Sequence, residues 1–68
     1  MKKKNIKIKL SVLREAKGMS QRDLAREAGV SPSAIASYES GTRIPRVDSA
    51  LAIAKVLSTE VSLIQFGR

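Results

Sequence analysis

The stretch GVSPSAIASYESG, residues 29–41, has the start and stop signals of a short helix, yet the side chains between them are nearly all small. Its polar groups are mostly hydroxyls, which donate and accept hydrogen bonds but need an adjacent base to become nucleophiles. The chain contains no histidine and no cysteine. The commonest general base, thiolate zinc ligands and disulfides are therefore missing together. A non-enzymatic protein with no catalytic, cofactor-binding or metal-binding residues is expected.

The remaining chemistry is electrostatic. Thirteen lysines and arginines against six acidic residues give a formal charge of +7. Five of the lysines (Lys2, Lys3, Lys4, Lys7 and Lys9) and no acid fall within residues 1–9, which leaves eight basic against six acidic residues, or +2, for the rest. A local excess of this kind suits a polyanion, either nucleic acid or an anionic membrane face, although a solubilising tail carries the same composition. With 68 residues, 43% of them hydrophobic, the chain forms one domain near the lower limit of what folds alone. No apolar run approaches the roughly 20 residues that cross a bilayer. Lys7, Lys9 and Arg14 interrupt what would be the apolar core of a signal peptide. The expectation is a soluble, cytoplasmic protein at the nucleoid.

Apolar periodicity and helix signals predict five short helices. Ile6, Leu10 and Leu13 recur at i, i+4 and i+7, which predicts a first helix over roughly residues 6–17, ended by Gly18. IKIKL, residues 6–10, alternates as a strand would, but Leu13 continues the helical spacing and a helix is preferred. Ser20 and Asp23 form a capping box for a second helix whose buried face is Leu24, Ala25 and Ala28, closed by Gly29. Ser31 then caps a third helix with Pro32 at its first position, an Ile35/Tyr38 apolar pair and Gly41 as its stop. Only GVS separates the two, so they cross steeply. After the GTRIPR loop, Val47, Ala50, Leu51, Ile53, Ala54 and Leu57 are apolar around most of a fourth helix, which belongs at the centre of a bundle. Thr59 and Ser62 offer caps for a fifth, bearing Leu63, Ile64 and Phe66.

Residues 13–57 resemble the helix-turn-helix family of the phage lambda and 434 repressors and Cro. The marks are LR, KGMSQ leading into LA, GVS at the turn, I..YE.G in the third helix, a loop proline and A..IAKVL in the fourth. Each is weak alone, but their order and spacing together are specific. The resemblance implies an all-α, five-helix lambda-repressor-like domain over residues 6–68 behind a basic arm at 1–5. Residues 21–28 would be the positioning helix and 32–40 the recognition helix, which lays its N-terminal part in a major groove about 12 Å wide.

By position, the family's base-reading side chains fall on Pro32, Ser33, Ala36 and Ser37. Better-known members carry longer amides at several of these positions. Serine hydroxyls pair with almost any base, and Pro32 and Ala36 offer only apolar contact, so direct readout is thin. Ser33 and Ser37 also serve simply as a first-turn residue and a solvent-facing filler. Specificity then leans on Arg43 in the following loop, on the lysine arm, or on duplex deformability. Gln21 matches a phosphate-contacting family position, and Arg22, Ser31, Thr42, Arg43, Arg46, Lys2, Lys3 and Lys4 are further backbone candidates. Each is otherwise an ordinary surface or capping residue. Arg14 and Glu39 match a pair that links the first and third helices in the family. Tyr38 belongs to the core by its spacing from Ile35.

The implied function is a sequence-specific double-stranded DNA-binding transcriptional regulator, a repressor on a palindromic operator. It would act as a homodimer that is weak without DNA and contacts its partner through Leu63, Ile64 and Phe66, of which at least one is otherwise ordinary core. Two rivals stand beside it: an antitoxin that binds a toxin protein and regulates its own synthesis, and a membrane-surface or RNA-binding module driven by the lysine arm. The first helix is only modestly amphipathic and the chain has no tryptophan, which weakens membrane docking.

Overall fold

The computed structural model describes residues 6–67 of the chain. Four α-helices follow one another: α1 (Leu10–Ala16), α2 (Gln21–Ala28), α3 (Pro32–Ser40) and α4 (Val47–Val56). A two-residue strand, β1 (Ile8–Lys9), precedes α1, and a single 3-10 turn, Val61–Leu63, leads into a second strand, β2 (Ile64–Gln65). Both ends of the described chain thus depart from the expected five helices.

Residues 6–9 are not helical. Ile8 pairs with Ile64 and Lys9 with Gln65 in a parallel ladder, so the alternation in IKIKL is a strand signal after all. Ile6 is 65% exposed, whereas Leu10, the first residue of α1, is fully buried. The expected fifth helix is the 3-10 turn followed by β2. Its start is set by Glu60 with no side-chain cap, so neither Thr59 nor Ser62 caps it as expected. The ladder supplies backbone partners to two segments that lack local helical ones, and the partner lies more than fifty residues away in sequence.

The middle elements form where their punctuation lies. Asp23 N–H donates to Ser20 Oγ and Ser20 N–H to Asp23 Oδ2, both at 3.0 Å, which closes the capping box of α2. Ser31 Oγ accepts from Ala34 N–H at 3.1 Å, with Pro32 at the first position of α3. Gly29 and Gly41 stop these helices in the left-handed conformation, at φ +76° and +86°.

Leu24 and Ala25 of α2, Ala34, Ile35 and Tyr38 of α3, and Ile53 and Ala54 of α4 build one core with Leu10, Leu57 and Ile64. Val30 plugs the corner between α2 and α3, packed against that core. Beyond β2 the chain returns to the end of α3. A Cβ on Gly67 would stand 3.3 Å from Gly41 Cα, and Gly67 has φ +106°, so the close approach depends on its missing side chain.

α4 is not buried all round as its composition suggested. Ala50, Ile53, Ala54 and Leu57 face the core, but Val47 is 76% and Leu51 55% exposed, beside Ile44 at 83%. α4 packs mainly against α2 and the 3-10 turn, and its second apolar face stays in solvent.

Candidate nucleic-acid interface

The small side chains of α3 divide cleanly by burial. Ala34, Ile35 and Tyr38 face the core, while Pro32 and Ser33 are exposed and Ala36 and Ser37 half-buried. Positions 32, 33, 36 and 37 therefore share the outward face, in the N-terminal turns of the helix. No side chain there extends beyond a hydroxyl, so an approaching surface can come close to the helix backbone. Ser33 Oγ lies 3.2 Å from the capping Ser31 Oγ, which ties two of the hydroxyls into one hydrogen-bonded pair at the helix start.

Behind this face, α1, α2 and α3 are locked by one acidic group. Arg14 Nε donates to Glu39 Oε2 at 2.6 Å and Nη2 to Oε1 at 3.3 Å, with both side chains nearly buried at 11% and 10% exposure. Arg14 Nη1 also donates to the Met19 carbonyl at 2.8 Å. The hydrogen bond and charge of Glu39 hold the guanidinium still more firmly in its charged form. Gln21 Nε2 donates to Glu39 Oε1 at 3.0 Å. A carboxylate only accepts, so the amide orientation is fixed: one N–H is spent on Glu39 and the second remains for another acceptor. The Arg14–Glu39 pair was matched only through the resemblance, and the tie from Gln21 gave no sequence signal because the two residues are 18 apart.

The other expected contacts stand as follows. Thr42 is engaged in closing α3: its Oγ1 lies 3.0 Å from Ser40 Oγ and donates to the Ser37 carbonyl at 3.4 Å. Arg43 places its guanidinium carbon 5.9 Å from the centre of the Tyr38 ring, a cation–π contact at the C-terminal end of α3. Arg22, Arg43 and Arg46 are exposed and form no ion pair among the described residues. Lys2, Lys3 and Lys4 lie outside the described residues.

The three residues expected at a dimer contact have different fates. Ile64 is 2% exposed and pairs in β2, so it belongs to the core and is corrected to a structural residue. Phe66 sets its ring edge-on to Tyr38, with centroids 6.4 Å apart and planes at 86°, and is half-buried there. Leu63 remains 40% exposed. A larger exposed apolar surface is formed by Ile44, Val47 and Leu51; helix composition predicts Val47 and Leu51 inside, and Ile44 lies in a loop whose sequence carries no signal of its exposure.

Comparison with known proteins agrees with this layout. The family model described as Helix-turn-helix matches residues 10–64, from the start of α1 into β2. An uncharacterised HTH-type transcriptional regulator of Sinorhizobium fredii, y4dL, is 37% identical over 62 residues, which is 91% of this chain. The match spans only 32% of that relative's length.

Proposed function

The chain belongs to the Cro/C1-type helix-turn-helix family, and from that premise we propose that it is a sequence-specific double-stranded DNA-binding transcriptional regulator. It binds a palindromic operator as a dimer and represses by occupying the site that polymerase needs. The observation that carries this is the outward face of α3, where Pro32, Ser33, Ala36 and Ser37 leave the helix free to sit deep in a major groove. Ser33 and Ser37 hydrogen-bond base edges, and Pro32 and Ala36 pack against thymine methyls.

The second N–H of the Gln21 amide donates to a phosphate, together with the first-turn N–H groups of α2. Ser31, Arg22, Thr42 and Arg46 add phosphate contacts, as do Lys2, Lys3 and Lys4. Arg43 stands at the end of α3 farther from the groove-facing turns, so its role is phosphate neutralisation more than base reading. No step requires a catalytic residue. The name of the Sinorhizobium relative supports regulation of transcription as the setting.

Titration of isotope-labelled chain with duplex DNA tests the docking face. Amide shifts concentrated at Ser31–Ser37 and at the Gln21 side chain are expected. Shifts confined to the lysine-rich start of the chain would contradict groove insertion by α3.

A further inference from the structure

We propose that Tyr38 is a positioning residue for the DNA-backbone contact of Arg43: its ring holds the guanidinium at the C-terminal end of α3, so the charge is already aimed when a phosphate arrives. This rests on the DNA-binding reading above and gives a second role to a side chain whose spacing places it only in the core. The Arg43 guanidinium carbon lies 5.9 Å from the centre of the Tyr38 ring. Tyr38 is buried, whereas Arg43 is exposed and forms no ion pair among the described residues. Arg22 and Arg46 are also exposed, but among the described residues no ring holds either of them.

The main chain of Arg43 is fixed to the same turn of helix. The N–H groups of Gly41, Thr42 and Arg43 all donate to the Ser37 carbonyl, at 2.9, 3.1 and 3.3 Å. Thr42 Oγ1 donates to it as well, at 3.4 Å. Ser37 and Tyr38 are adjacent, so the backbone and the guanidinium of Arg43 are tied to consecutive residues of α3. The ring is itself braced from the end of the described chain. Phe66 stands perpendicular to it with centroids 6.4 Å apart, and Gly67 lies so close to Gly41 that a Cβ would stand 3.3 Å from the Gly41 Cα. Arg43 therefore moves with α3, although the sequence reads it as a loop residue.

The ring contact leaves the donors free. A guanidinium carries its N–H groups in its own plane and meets aromatic rings through its face, so one group stacks and binds a phosphate together. An unheld arginine loses rotamer freedom when it binds, whereas one held on a ring has lost part of it beforehand. A cation–π contact at an exposed site corresponds to about a two- to fivefold change in affinity. The gain applies to every duplex alike, because a phosphate carries no sequence.

Affinity for a random-sequence duplex is measured for the native chain, Tyr38→Phe, Tyr38→Leu, Arg43→Ala and the double variant Tyr38→Leu/Arg43→Ala, each shown by thermal melting to be folded at the assay temperature. Tyr38→Leu is expected to lose about two- to fivefold, and Tyr38→Phe, which keeps the ring, to bind as the native chain does. With Arg43 already replaced by alanine, Tyr38→Leu is expected to cost nothing further. An equal loss in both backgrounds would make Tyr38 a structural residue only and overturn the assignment, as would native affinity in Tyr38→Leu. Proton NMR of the free native chain tests the contact without DNA and without a substitution, and so decides even if Tyr38→Leu does not fold. The ring current is expected to move the Arg43 side-chain protons upfield of those of Arg22 and Arg46, and coincident signals would overturn the contact. Duplex binding that Arg43→Ala leaves unchanged would overturn this assignment alone. A native chain that retains no duplex at any salt would overturn the DNA reading and this assignment with it.

Discussion

At the scale of single residues, Glu39 is the most consequential group in the domain. It is the common acceptor for Arg14 and Gln21, and its loss strands a nearly buried guanidinium. Glu39→Ala is expected to cost about 3 to 5 kcal/mol, read as a shift in the urea midpoint, a large share of the stability of so small a domain. An effect under about 1 kcal/mol would mean that the pair is effectively solvated. Ser58 offers the opposite case. It is the one non-glycine described residue in the left-handed region, at φ +55°, held there as the chain leaves α4. Ser58→Gly is expected to raise stability by about 1 kcal/mol or less, since glycine relieves the strain but loses the long contact from Lys17 Nζ. Arg43→Ala is expected to weaken binding to all duplexes alike and to lower the salt slope by about 0.9, whereas loss of preference at one base position would make Arg43 a base reader.

At the scale of elements, the helices that carry their own punctuation were the legible ones. Ser20 with Asp23, Ser31 with Pro32, and the glycines after each helix act within three or four residues of the backbone they satisfy, so α2 and α3 could be read from the chain alone. The two ends could not, because the β1–β2 ladder joins Ile8 to Ile64 and leaves no local periodicity that outweighs a helical stripe. The outer face of α4 failed for a related reason: composition tells how much of a helix is apolar, not how many neighbours the fold can supply to cover it. Pro32, Ser33, Ala36 and Ser37 turn away from the core, but their assignment to base contact comes from family resemblance, because serine and alanine carry little chemical signature. The capping box gives a pH test of α2. The hydrogen bond from the Ser20 backbone, then that from its side chain, holds the Asp23 carboxyl below the usual carboxylate range. A depressed folded value means the stabilisation is complete above the ordinary unfolded pKa of about 4 and is lost as pH falls through the lower folded one. Stability measured from pH 6 to pH 2 is expected to fall through this window in the native chain and to fall less in Asp23→Ala. Parallel curves would remove Asp23 from the account.

At the scale of the whole molecule, the proposed regulator would present the outward face of α3 to a groove and the exposed Arg22, Arg43 and Arg46 to the phosphate backbone. Such a design gets much of its affinity from phosphate neutralisation. A dimer with on the order of 6 to 10 phosphate contacts is expected to lose roughly three to five decades of affinity between 50 and 200 mM salt, and near-independence of salt would exclude it. Affinity alone, however, does not separate a regulator from a polyanion binder. The most direct test is selection from random duplex DNA with the full 68-residue chain, followed by sequencing of the retained sites. Enrichment of a palindrome whose half-sites lie about one helical turn apart, 34 to 36 Å centre to centre, is the predicted result. Binding that persists without any enriched sequence and follows only charge and salt would contradict groove reading by α3.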